Sequence, residues 1–213
     1  MTSREPVWHQ EVITPQVERV LAELGSQGVV APFYLAGGTA LALAFGHRRS
    51  IDLDFFTAES FHEDQLLTGL QPQIRLSVIA RDQQTLHLHI GGVKVSFLGY
   101  AYPVLFPLLS LAGVKVADPR DIACMKISAL AGRGTRRDFF DVYVAARQYG
   151  LSDLLALFRR KYAAADYSTI HILKSLTFFA DAERDPLPDL LVPLTWDDVT
   201  HFFQAEVPRL SLP

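Results

Sequence analysis

The chain has 213 residues, 49% of them hydrophobic and 20% charged, with a formal net charge of −3. That size allows one domain or two small lobes around a core that needs no staples, and the slight acidity excludes a general polyanion binder, so nucleic-acid contact would need a local basic patch. The single cysteine, Cys124, excludes an internal disulfide, suits a reducing compartment, and reads as a small buried hydrophobe in a helical pattern rather than a nucleophile.

No basic start followed by an apolar run opens the chain, so no secretory signal is expected. The longest apolar segment, AYPVLFPLLSLAGV, is too short for a bilayer and carries two prolines. The expectation is a soluble, cytoplasmic protein. In chain order, PQVERVLAEL places Val17, Val20, Leu21 and Leu24 at helical spacing behind Pro15. FYLA predicts a short buried strand ending at Gly37-Gly38, followed by a helix over 39–45. IDLDFF alternates acid and apolar residues and predicts a strand. SFHEDQLLTGL has Ser60 and Glu63 in capping-box register for a helix, and IRLSVIA predicts a strand. TLHLHI-GG-VKVSFL predicts a hairpin turning at Gly91-Gly92, with His87 opposite Ser96 and His89 opposite Lys94 on one face.

Near Val116 the pattern changes from strands to helices. Pro119 suits the first position of a helix over DPRDIACMKISALAG, with Asp118 as its cap. Thr135 and Asp138 stand in capping-box spacing for a helix that stops at Gly150. SDLLALFRRKY, STIHILKSLTFFADA and TWDDVTHFFQAEV predict three more helices, with the proline-bearing RDPLPDLLVPL as a loop. The outline is an α/β half over 1–116 and a helical half over 117–213.

Asp52 and Asp54 project from one strand face, roughly 6–7 Å apart along it. Two such carboxylates repel unless a cation lies between them, and hard oxygen donors suit Mg²⁺, which takes further ligands from water and phosphates. The alternative is a solvated edge strand. Gly37-Gly38-Thr39 is a tight turn or, at a strand-to-helix junction, a phosphate cradle with backbone N–H groups, a helix N-terminus and a hydroxyl. Lys126 lies on a helix, where it either faces solvent or serves an anion. Arg133, Arg136 and Arg137 surround the Gly132–Gly134 hinge as a solvated loop or a clamp for phosphates or RNA, and His47, Arg48 and Arg49 before the acid pair admit the same two readings.

LAGGTALALAFGHRRSIDLDFF resembles the first two motifs of the DNA polymerase β-like nucleotidyltransferase superfamily, G-G-[ST] followed by D-x-D. KISALAGRGTRRDFFDVY resembles the AbiEii/AbiGii-type nucleotidyltransferase toxins of type IV toxin–antitoxin systems, with a helical lysine, then a basic residue close to R-D-x-x-D. The likeness runs from residue 33 to 149. It implies an α+β fold, a small mixed-sheet nucleotidyltransferase core followed by a helical C-terminal lobe that completes the active site. It implies Gly37, Gly38 and Thr39 on the triphosphate of an NTP, Asp52 and Asp54 on Mg²⁺, and Lys126 on triphosphate oxygens. Asp138 becomes a base or orienter, with Asp141 on the same helix face, and Arg49, Arg133 and Arg137 become phosphate contacts. The implied acceptor is RNA, by analogy a tRNA 3′ end, and the implied partner is a separately encoded antitoxin.

In one place the chain departs from the superfamily pattern. A third carboxylate often stands on a later strand, and here that position falls on Ser96, which cannot act as a carboxylate base. His87 and His89 face the same side and are candidates for proton transfer, and Asp138 or Asp141 could take over the base's task. Ser96 also keeps open a different class of function, a non-catalytic module that retains the fold and binds nucleotide, RNA or protein. Asp138 has a purely structural reading as the capping-box acid, and Asp141 one as the partner of Arg137.

Overall fold

The computed structural model describes residues 7–210. The chain forms two compact units, Met1–Asp118 and Pro119–Pro213. Among the described residues no helix is long and apolar enough to cross a membrane.

The first unit is a seven-stranded mixed sheet with three helices. Helix α1 (Pro15–Gly25) is capped by Thr14, whose hydroxyl accepts from Val17 N, and it buries Val17, Val20, Leu21 and Leu24. Strand β1 (Tyr34–Ala36) is wholly buried and runs into α2 (Gly37–Phe45), which begins at the glycine pair itself rather than at Thr39. Strand β2 (Leu53–Thr57) begins after Asp52. Then come α3 (Glu63–Leu70), β3 (Leu76–Asp82), β4 (Thr85–Ile90), β5 (Val93–Gly99), β6 (Leu109–Leu111) and β7 (Val114–Val116). The strand order is β3-β4-β5-β2-β1-β7-β6. β2 pairs antiparallel with β1 and parallel with β5, so the acid-bearing strand is central and fixed on both sides.

The β4–β5 hairpin has the expected register, His87 opposite Ser96 and His89 opposite Lys94. Gly91 and Gly92 both adopt positive φ (54° and 81°), as the right-handed twist of a two-residue hairpin turn requires. Leu86, Leu88, Ile90, Val95 and Phe97 take the buried face, and Phe55 stacks on Phe97 at 5.3 Å between ring centroids.

Two features of this unit differ from expectation. Ser60 is not the cap of α3. His62 holds the N-cap position without a side-chain bond, and Glu63 Oε1 instead accepts from Gln84 N at 2.7 Å. Gln84 also bonds both backbone groups of Phe61, so tertiary contacts displace the local capping box. The β6–β7 hairpin inside the apolar segment was not expected. It turns at Ala112-Gly113, both at positive φ, and alanine there offers none of the usual asparagine or glycine signal.

The second unit is helical: α4 (Pro119–Gly132), α5 (Arg136–Tyr149), α6 (Leu151–Lys161), α7 (Thr169–Ser175) and α8 (Trp196–Glu206). Thr135 caps α5, and Thr195 with Asp198 forms a reciprocal capping box on α8. Phe139 anchors the core against Phe179, Trp196 and Phe203 at 5.1–5.7 Å. The helix expected over 168–182 ends at Ser175. Beyond it, the Arg136 guanidinium donates to Ala182 O and Glu183 O and lies 5.1 Å over the Trp196 ring, and its backbone N–H donates to Asp185 Oδ2. Those bonds hold 182–185 as a separate turn against the start of α5.

Lys161 Nζ meets Asp121 Oδ1 at 2.8 Å, both side chains being 1% exposed. A buried pair of this kind is costly to break from one side, because the survivor stays buried and uncompensated. Lys161→Met is expected to cost about 3–5 kcal/mol in denaturant unfolding, and adding Asp121→Leu to recover most of it. Burial also pushes the Cys124 thiol up to about 12, with Lys161 and Asp121 making smaller opposing contributions. The thiolate is therefore not formed at neutral pH, in keeping with a packing role.

Candidate active site

The acid pair sits where β2 leaves the loop after α2. Burial alternates along it, with Leu53 and Phe55 fully buried and Asp52, Asp54 and Phe56 half-buried. Ala36, the residue before the glycine pair, pairs directly with Asp54. Gly37 has φ +71°, and a Cβ added there would lie 2.9 Å from Asp54 Oδ2 and 3.3 Å from Asp54 Cβ. Glycine is favoured by the positive φ, and any larger residue would have to push the Asp54 side chain aside.

Thr39 is 3% exposed. Its hydroxyl donates to the Asp52 carbonyl and meets Ser50 Oγ at 2.7 Å. The hydroxyl thus ties the start of α2 to the backbone of the first aspartate and draws Asp52 out of the strand ladder. Ser50 was not singled out from sequence, where a lone serine eleven positions from Thr39 carries no signal. N-cap residue Ala36 supplies no side-chain bond to α2, so the opening turn's N–H groups have no local acceptor of that kind. Gly38 lies in that turn.

Ser96 on β5 pairs with Asp54 on β2 and with His87 on β4, giving the row His87–Ser96–Asp54 across three strands. Its hydroxyl is 3.0 Å from His87 Nδ1, and Ser96 is 2% exposed, whereas His89 is exposed. The basic residues before the acids are partly interior. His47 and Arg48 are 1% and 3% exposed, with Arg48 donating to Arg49 O. Arg49 is exposed and reaches Glu11 O at 3.4 Å.

The second unit contains its own charged cluster. Lys126 Nζ lies 2.7 Å from both Asp138 Oδ1 and Asp141 Oδ2. Arg133 Nε holds Asp138 Oδ2 at 3.2 Å, and the Thr135 hydroxyl donates to the same oxygen at 2.6 Å. Lys126, Asp138 and Asp141 are 7%, 1% and 0% exposed. Two cations and two anions therefore balance, and Asp141 pairs with Lys126; Arg137 is exposed. Thr135 caps α5 by accepting from Asp138 N, while the Asp138 carboxylate itself is turned to Lys126, Arg133 and the Thr135 hydroxyl as the centre of this cluster. Burial pushes its carboxyl upward, but the Lys126 and Arg133 charges and the hydrogen bonds from Lys126 and Thr135 outweigh that and hold it below the ordinary aspartate value of 3.8. Such a group is ionised at neutral pH and is a weak base. Arg136, expected beside the hinge as a phosphate group, is committed to the 182–185 turn and Trp196.

A mixed sheet carrying G-G-T and D-x-D, followed by a helical unit carrying the K…R-D-x-x-D cluster, defines a nucleotidyltransferase. Residues 19–210 match the family model described as nucleotidyl transferase AbiEii toxin, type IV TA system. The chain belongs to this family. It is 36% identical over 193 residues to an uncharacterized protein of Aquifex aeolicus, across 88% of this chain and 92% of that one. In structure it is similar to MenT4, a nucleotidyltransferase toxin from Mycobacterium tuberculosis, at 15% identity and TM-score 0.55 over 93% of this chain and 87% of that one. The α+β reading and the family resemblance drawn from residues 33–149 thus hold over nearly the whole chain.

Two outcomes test this geometry. Gly37→Ala is expected to cost about 1–2 kcal/mol in backbone strain alone and to lower activity further by displacing Asp54. Denaturant melts and transfer assays on one preparation measure both. For Asp138 the folded pKa is depressed, so its contribution to stability is complete above the unfolded value and is lost as pH falls through the folded one. Below about pH 4 the wild type should lose stability more steeply than Asp138→Asn, as read by unfolding free energy against pH.

Proposed function

We propose that the chain transfers a nucleoside monophosphate from an NTP to an RNA acceptor, a tRNA 3′ end, with Mg²⁺ as cofactor, in the cytoplasm and under restraint by a separately encoded antitoxin. The observation that carries this reading is Asp54 seated against Gly37, which joins the acid pair and the glycine turn into one rigid unit.

The donor set fits the metal. Among the described residues no group of three or more His, Cys, Asp or Glu side chains gathers as a ready-made cage. Two half-buried carboxylates suit Mg²⁺, which seldom takes an all-protein shell and completes it with water and phosphate. Asp52 and Asp54 would hold it, and there it would supply charge neutralisation for in-line attack at the α-phosphorus.

The chain's own groups divide the remaining work. The N–H groups of Gly37, Gly38 and Thr39 offer donors and the positive end of α2 to the triphosphate. The Thr39 hydroxyl fixes the Asp52 backbone, so Thr39 serves phosphate through its N–H. Arg49, Arg133 and Arg137 are exposed, and their guanidinium groups have the chemistry to bind phosphate oxygens. Lys126, held between Asp138 and Asp141, positions that pair, and Asp138 orients rather than abstracts. Release of the acceptor's proton then needs another group, and His87, bonded to Ser96 beside Asp54, has the chemistry for it.

One observation favours a second reading: Ser96 stands beside Asp54 where a third acid would complete the site, as in a fold that binds nucleotide, RNA or protein without transferring. Incubation with each α-labelled NTP, Mg²⁺ and total RNA separates the two. The proposal expects label in RNA, lost in Asp54→Asn while the melting temperature is unchanged or raised, because a repulsion has been removed. Unlabelled RNA despite tight NTP binding supports the module, and transfer that survives in Asp54→Asn refutes the site.

A further inference from the structure

The helical unit contains a cleft of about 520 Å³ whose lining only partly overlaps the cluster above. One wall is the loop from α4 into α5, and the other is α7 with the turn that follows it. Arg133, His171 and Lys174 bring basic groups to the lining against one acid, Asp181, with Leu130 among its apolar residues. Phe178 also lines it and is 58% exposed, although the adjacent Phe179 is buried against Phe139. The chain thus spends one of two consecutive phenylalanines on the core and leaves the other open beside cations.

We propose that this cleft binds single-stranded RNA, with an unstacked base against Phe178 and backbone phosphates on Arg133 and Lys174. The inference rests on the RNA-acceptor reading and gives it a place. An apolar ligand would gain nothing from the cations, and an inorganic anion nothing from the ring. An unpaired nucleotide uses both, through stacking and charge together. A duplex, whose bases are already stacked, has no face to offer Phe178. Arg133 joins the cleft to the acid cluster: its Nε holds Asp138 while its side chain stays 67% exposed, leaving guanidinium donors for a phosphate. His171 braces the same loop, its Nε2 lying 3.0 Å from Ala131 O.

The test is anisotropy binding of a fluorescent single-stranded RNA of about twelve nucleotides, long enough for one such site, to the full chain and to Phe178→Ala and Lys174→Glu. Both residues are exposed, so melting temperatures should match the wild type. Each variant is expected to weaken RNA binding by on the order of tenfold, while Mg²⁺-NTP affinity stays unchanged. Duplex of the same sequence should bind more weakly and lose little in Phe178→Ala. Unchanged RNA affinity in both variants overturns the proposal. A parallel loss of NTP affinity also overturns it, by making the cleft a mononucleotide site. If the variants bind RNA as the wild type does while labelled RNA still forms in the transfer assay, the cleft assignment falls and the acceptor reading stands. If the wild type neither labels nor binds RNA, both fall.

Discussion

A Cβ on residue 37 would lie 2.9 Å from Asp54 Oδ2 and 3.3 Å from Asp54 Cβ, and φ at that residue is +71°. The antiparallel pairing of β1 with β2 sets Ala36 opposite Asp54 and so brings that carboxylate beside the glycine that opens α2. Thr39 completes the constraint from the other side, its hydroxyl bonded to the Asp52 carbonyl and to Ser50. Turn and acid pair are therefore one object, held by a central strand with neighbours on both edges. Both acids are half-buried on or beside this strand, and the proposed role of the pair is to hold a cation between them.

The helical unit follows a different electrostatic rule. Its buried charges are matched within the fold: Lys126 with Asp138 and Asp141, and Lys161 with Asp121. Matching keeps these groups ionised in a dry interior and makes each pair fragile to removal of one partner. It also limits their chemistry. An aspartate kept below its ordinary pKa holds a charge in place well and takes up a proton poorly, which is why Asp138 is better suited to orientation than to general base work.

Much of this was legible in the residues because the informative signals were local. Gly91-Gly92 announced the hairpin and its register, Thr135 and Asp138 announced the start of α5, and the order of G-G-T, D-x-D, lysine and R-D-x-x-D announced the family. What stayed hidden depended on distant partners. Gln84 displaces the cap expected at Ser60, and Arg136 reaches from α5 to hold residues 182–185 as a separate turn where a continuous helix was expected. The β6–β7 turn uses an alanine at positive φ, which no propensity foretells. Lys126 read as a helix lysine that either faces solvent or serves phosphate, and its twelve- and fifteen-residue separations from Asp138 and Asp141 gave no hint that a helix hairpin would bring both acids to its ammonium. His47 and Arg48 read as a basic surface pair, yet the loop turns both inward.

A transferase of this family with two separately organised charge centres has a division of labour built into its chain: an open acid pair in the sheet unit and a closed ion cluster in the helical one. The most direct measurement is an anomalous difference map from crystals soaked with Mn²⁺ and a non-hydrolysable NTP analogue. The expected result is a manganese peak coordinated by both Asp52 and Asp54, with the triphosphate over the turn at 37–39. A peak elsewhere, or nucleotide bound away from that turn, would contradict it.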